Sequence, residues 1–64
     1  MTWELYEVWA VDQDGHETLI DTTRSIKEAR EMAREALTED VVNAIIYRET
    51  EDGDQEFVED VTGL

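Results

Sequence analysis

Two Asp-Gly pairs, Asp14-Gly15 and Asp52-Gly53, each stand between runs of aromatic and β-branched residues, and they constrain the fold more than any other feature of the chain. Glycine takes the left-handed conformation that closes a tight antiparallel turn, so such a pair between two strand-like runs signals a hairpin. The first pair joins Trp3–Val11, reading Trp-Glu-Leu-Tyr-Glu-Val-Trp-Ala-Val, to Glu17–Thr23, which carries Leu19-Ile20. A three-residue loop, Gln13-Asp14-Gly15, sets Asp12 opposite His16, Ala10 opposite Thr18, Trp9 opposite Leu19 and Val8 opposite Ile20. The second pair joins Val41–Thr50 to Asp54–Val61. The same loop there sets Tyr47 opposite Phe57, Ile46 opposite Val58 and Arg48 opposite Glu56. A two-residue turn would instead oppose Arg48 to Phe57 and Ile46 to Glu59. The first register joins aromatic to aromatic and cation to anion, and it is the one expected. Superposing the two turns matches Val8 with Ile46, Trp9 with Tyr47, Leu19 with Phe57 and Ile20 with Val58, a weak internal repeat of hairpins.

Between the hairpins lies one helix, expected over residues 26–38. Ser25-Ile26-Lys27-Glu28 is a capping box, with Ser25 as N-cap and Glu28 three residues on. Ile26, Ala29, Met32, Ala33, Ala36 and Leu37 recur at helical spacing and form an apolar face thin enough to lie close to a sheet. Lys27, Arg30 and Arg34 alternate with Glu28, Glu31 and Glu35 on the other side, as intrahelical ion pairs do. Thr38-Glu39-Asp40 ends the helix without a glycine, and acids there oppose its dipole, so that end should fray. The fold class expected is α+β: a two-layer sandwich in ββαββ order, with a four-stranded, mostly antiparallel sheet and one helix packed on one face. The single domain spans 1–64, with hairpin 3–23, helix 26–38, hairpin 41–61 and tail 62–64. The pattern does not decide which strands are central.

At 64 residues the chain has room for one small core. With no cysteine, disulfides and thiolate zinc sites are excluded, and an intracellular, cytoplasmic setting is the expectation. Met1-Thr2-Trp3-Glu4 lacks the basic segment of a secretion signal, and no apolar stretch approaches membrane length, so no membrane partner is expected. Eighteen acidic residues against five basic ones give a formal charge of −13. That field repels nucleic acid directly and attracts basic surfaces. The competing reading is plain solubility or adaptation to a salty cytoplasm, which a single lysine, Lys27, against four arginines also suits.

The strands do not alternate cleanly between apolar and polar. One face is expected to carry Tyr6, Val8, Ala10, Ile20, Val42, Ala44, Ile46 and Val58, under the helix. The other is expected to carry Trp3, Leu5, Trp9, Val11, Leu19, Ile45, Tyr47, Phe57 and Val61. One helix cannot cover both, and an exposed aromatic face is an interaction surface. The expected protein-binding residues are Trp3, Leu5, Trp9, Leu19, Tyr47 and Phe57. Their expected acidic rim is Glu7, Glu17, Glu49 and Glu59, with Glu4 beside it. Two competing arrangements are a twisted sheet that wraps these rings into its own core, and a helix that covers the aromatic face instead.

No constellation for catalysis is visible. The one serine, Ser25, is a helix cap, and the one histidine, His16, sits beside a turn where a neighbouring carboxylate pairs with it. Asp12-x-Asp14-Gly15 and Asp52-Gly53-Asp54-x-Glu56 lack the ligand spacing of a calcium loop. No cofactor and no metal is expected, and no enzyme. The leading expectation is a non-enzymatic protein-interaction module: a small acidic inhibitor or nucleic-acid-mimicking accessory protein, of phage or plasmid type, acting on a basic protein surface. The alternatives are a homodimer joined through the aromatic face in a salt-adapted cell, and an antitoxin-like regulatory domain, the latter from the capped, alanine-rich run Ser25–Leu37.

Overall fold

Each Asp-Gly pair does close a hairpin. A computed structural model of the protein describes residues 4–62, and both glycines in it have φ of +86°. Gly15 N–H donates to Asp12 O at 3.0 Å and Asp12 N–H to His16 O at 3.1 Å. In the second hairpin Gly53 N–H donates to Thr50 O at 3.0 Å and Thr50 N–H to Asp54 O at 2.9 Å. A β-carbon at either glycine would meet nothing within 4 Å. An alanine there is therefore penalised by its backbone conformation alone. Gly15→Ala and Gly53→Ala should each cost about 1 kcal/mol, read as a lower urea midpoint at unchanged slope.

The turns join β1 (Leu5–Asp12) to β2 (Glu17–Thr23) and β3 (Val41–Glu49) to β4 (Gln55–Thr62), with α1 (Ile26–Ala36) between the hairpins. All pairings are antiparallel, in the order β2-β1-β3-β4. The two strands richest in apolar residues are thus central, and the more polar β2 and β4 form the edges. The fold is the small α+β two-layer arrangement expected from the pattern.

Ser25 caps α1, its Oγ accepting from Glu28 N–H at 3.3 Å. The capping box is wider than the sequence suggests. Glu28 Oε2 accepts from the Thr23 hydroxyl at 2.8 Å, and Thr23 Oγ1 accepts from Ser25 N–H at 3.3 Å, so Thr23 relays the contact. The helix ends at Ala36, short of the expected residue 38. Leu37 is already extended, with φ −70° and ψ 119°, and its side chain packs on the core. Thr38 Oγ1 then accepts from the amides of Asp40 and Val41 at 3.3 and 3.4 Å, which turns the chain into β3.

The core lies between the helix and the central strands. It comprises Tyr6, Val8, Ala44 and Ile46 from the sheet and Ala29 and Ala33 from the helix. Val8 and Ile46 face one another across β1 and β3, and they are the two largest side chains that are fully buried. Ile26, Met32, Leu37, Val58 and Val61 close the margin.

The hairpin repeat is visible in the sheet. Val8 pairs with Ile46, its own counterpart, so an approximate two-fold passes between β1 and β3. Near the turns the registers are those expected: Trp9 with Leu19, Ala10 with Thr18, Tyr47 with Phe57, Arg48 with Glu56. Past that point each edge strand carries a β-bulge at the matching place, at Ile20 between Val8 and Trp9 and at Val58 between Ile46 and Tyr47. A bulge inserts one residue and reverses the side on which every later residue lies. Asp21 therefore stands opposite Val8, and Glu59 opposite Ile46. Three placements change as a result: Ile20 is 45% exposed, and Glu59 and Val61 move from the aromatic face to the helix side. Ile20 and Val58 also lose their expected places opposite Val8 and Ile46, while Val58 still packs on the core from the helix side, as expected. A third irregularity, between Val11 and Asp12 against β3, leaves Val42 exposed and not under the helix.

Candidate protein-docking face

On the side of the sheet away from α1, the pairing aligns one residue from each strand into a row. Leu19 of β2 stands opposite Trp9 of β1, and Tyr47 of β3 opposite Phe57 of β4. Trp9 and Tyr47, on adjacent central strands, meet edge to face with ring centroids 6.4 Å apart. Tyr47 and Phe57 repeat the arrangement at 6.5 Å. Such perpendicular pairs are the favoured geometry for aromatic rings. Leu5, Val11 and Ile45 flank the row on the same face by alternation.

No described element covers this face. Trp9 and Tyr47 are half-buried by their neighbours in the sheet, while Leu19 and Phe57 are 45% and 61% exposed at the two ends of the row. The rings are neither wrapped into the core nor covered by the helix. Trp3, expected in this group, lies outside the described residues. The exposed Val42, with Leu37, Val41 and Thr62, lines a shallow groove at one end of the sheet and carries the apolar surface around it.

The polar residues of the face are tied to the rings. Trp9 Nε1 donates to Glu7 Oε1 at 3.0 Å, and Gln55 Nε2 donates to the same oxygen at 2.6 Å from β4. Tyr47 OH reaches over β1 and donates to Glu17 Oε1 at 3.2 Å. Asn43 Nδ2 holds Asp60 Oδ1 at 2.9 Å. Burial, then the hydrogen bond to Glu17 and the charges of Glu17 and Asp60, raise the Tyr47 phenol above its ordinary value. Burial and the contact with Glu4 raise Tyr6 likewise.

These shifts have a definite pH consequence. The unfolded chain loses its phenolic protons near pH 10.0, before the native chain does. The stabilisation is complete below that pH and is lost as pH climbs through the higher native values. Urea unfolding between pH 8 and 11.5 should show stability falling above about pH 10, with a shallower fall in Tyr47→Phe.

By register the strands place four carboxylates on this face, Glu7, Glu17, Glu49 and Asp60, and no cation. Three members of the expected rim, Glu7, Glu17 and Glu49, are there. Glu59 is not, because the bulge at Val58 turns it to the helix side, where it meets Arg30 Nε at 3.2 Å. Glu4 likewise belongs to the helix side, accepting from Tyr6 OH at 3.1 Å and lying 3.7 Å from Arg48. Sequence reasoning missed Asp60. The signal lies in the alternative register, in which Ile46 opposes Glu59 and Asp60 therefore opposes Ile45 on the open face. No basic residue of the four strands lies on this face. Lys27, Arg30 and Arg34 are on α1, Arg24 is in the β2–α1 connection, and Arg48 pairs with Glu56 at 2.7 Å on the helix side.

At the first hairpin tip, ligand atoms of Asp12, Asp14 and His16 lie within 4.8 Å of one another. The geometry is that of turn closure. Asp12 Oδ1 accepts from the amides of Asp14 and His16, each at 2.9 Å, and Oδ2 lies 3.7 Å from His16 Nδ1. No described helix is long and apolar enough to cross a membrane. Comparison with protein-family models, with curated proteins and with solved structures gave no match.

Proposed function

We propose that the chain is a non-enzymatic protein-interaction module whose open sheet face docks on a basic protein surface. The observation that carries this reading is the uncovered row Leu19–Trp9–Tyr47–Phe57, bordered by four carboxylates and by no basic residue of the four described strands. Aromatic side chains supply most of the binding energy at protein interfaces, and complementary charge at the rim steers the encounter and rejects wrong partners. A sharper form makes the chain an inhibitor that imitates nucleic acid, its carboxylates taking phosphate positions on a protein built to hold a polyanion. The edges of the sheet are poor alternatives for docking. Both carry a bulge, at Ile20 and Val58, and bulges interrupt the pairing that strand addition needs.

A second copy of the chain meets its own carboxylates on this face, which opposes self-association at moderate salt. The test is fluorescence anisotropy with a labelled amphipathic peptide of alternating basic and apolar residues, and an acidic peptide as control. The basic peptide should bind at 0.1 M salt and be released near 0.5 M, as the Debye length falls from about 10 Å to about 4 Å. The acidic peptide should not bind. Absence of binding by the basic peptide, with a stable dimer in sedimentation at 0.1 M salt, would replace this reading by a homodimer.

A further inference from the structure

We infer that the anchoring groups this face selects on its protein partner are arginine side chains in preference to lysine. The inference rests on the docking reading above and adds the chemistry of the partner's contact residues.

Glu7 has one oxygen, Oε1, fixed by Trp9 Nε1 and Gln55 Nε2, at 3.0 and 2.6 Å. Glu17 has one oxygen, Oε1, fixed by Tyr47 OH at 3.2 Å. In each case the second oxygen takes no hydrogen bond from a described residue, and a ring of the apolar row lies beside the carboxylate. A pre-positioned carboxylate next to an aromatic side chain fits the two binding modes of a guanidinium. The guanidinium donates N–H groups to the open oxygen while its flat face stacks on the ring. An ammonium is a compact, strongly hydrated charge that matches the carboxylate and gains little from the ring beside it.

Two such sites are present, Trp9 with Glu7 and Tyr47 with Glu17, and both carboxylates belong to the first hairpin, on β1 and β2. Their holding donors come from across the sheet, Gln55 from β4 and Tyr47 from β3 reaching β2, so both sites depend on the folded sheet. No basic residue of the four described strands lies on the open face with them. On α1, by contrast, Lys27, Arg30 and Arg34 stand among Glu28, Glu31 and Glu35 along the helix.

The test compares labelled deca-arginine and deca-lysine peptides by anisotropy at 0.15 M salt, on the wild-type chain and on the Glu7→Gln/Glu17→Gln double variant. Both peptides carry the same charge, so general electrostatic attraction cancels in the ratio of their dissociation constants. The wild type should bind deca-arginine about fivefold or more tightly than deca-lysine. The double variant should bring that ratio close to one, while its circular dichroism stays that of the wild type. Equal affinities in the wild type would overturn the arginine inference and leave the docking reading standing. A preference that survives intact in the double variant would also overturn it, because the selection would then lie elsewhere on the chain. Binding of neither peptide would overturn the docking reading itself.

Discussion

Ile46→Ala is expected to leave the chain mostly unfolded, or unfolding by about 15 °C or more below the wild type. The physical reason is how little else the core contains. Of the six buried residues, Ala29, Ala33 and Ala44 contribute a methyl group each, and Tyr6 keeps its hydroxyl at the margin. Val8 and Ile46 are the only large side chains fully buried among the described residues, and they face each other at the centre of the sheet. Truncating a buried isoleucine to alanine costs about 2–5 kcal/mol, the upper part of that range where the surroundings cannot collapse into the cavity. Here the alanines of α1 and Ala44 bring the helix close to the sheet, and only the marginal side chains such as Met32 could shift toward the gap. A chain of this length has a total stability of roughly 3–10 kcal/mol, so one substitution removes much or all of it. Thermal unfolding followed at 222 nm measures the shift, and Val8→Ala should follow in the same direction by a smaller amount. A wild-type-like transition in Ile46→Ala would mean that burial elsewhere holds the fold.

Trp9→Glu should weaken binding of the basic peptide by about thirtyfold while leaving the helix and the sheet formed. The sign of this effect is the informative part. The substitution adds one more negative charge to a chain already at −13, so binding by charge alone would become tighter. Docking through the aromatic row predicts the opposite, because the central ring of the row is lost together with the donor that positions Glu7. Trp9 is half-buried and lies outside the core beneath α1, so its loss should cost stability without abolishing the fold. Phe57→Glu repeats the test where the ring is 61% exposed and has least to do with stability. Loss of affinity in both variants, with unchanged circular dichroism, is the expected result. Unfolding of Phe57→Glu would assign that ring to the core and remove the row as a docking surface.

Much of this arrangement is legible in the residues. The Asp-Gly turns announce both hairpins and their registers near the loops. Ser25 and the spacing of Ile26, Ala29, Ala33 and Leu37 announce the helix and the face it buries. The imbalance of one helix against a sheet apolar on both sides announces an uncovered face, and Trp9, Tyr47, Leu19 and Phe57 lie on it. The bulges were not legible from simple alternation. Strict alternation places Leu19 and Phe57 on one apolar face and Ile20 and Val58 on the other, and nothing in it calls for an extra residue. The sheet inserts Ile20 and Val58 as extra residues, after which Glu59 can meet Arg30 and Val61 can reach the core. The pairing of Ile46 with Glu59 had been available as the consequence of a two-residue turn. The chain combines the two registers, one on each side of the bulge. Strand order was undecided because both hairpins have one apolar and one polar strand. The near-repeat carries the missing hint, since strands that match each other pair about the two-fold at Val8 and Ile46.

The central claim is that the uncovered aromatic face, and no other acidic surface of the chain, receives a basic partner. Amide chemical-shift mapping by NMR, with deca-arginine added to the 15N-labelled protein at 0.15 M salt, tests it directly. The account predicts that the largest shifts fall on Glu7, Trp9, Glu17, Ile45, Tyr47 and Phe57, with the exposed acids of α1, Glu28, Glu31 and Glu35, little changed. Shifts centred on the helix, or spread evenly over every acidic residue, would contradict it.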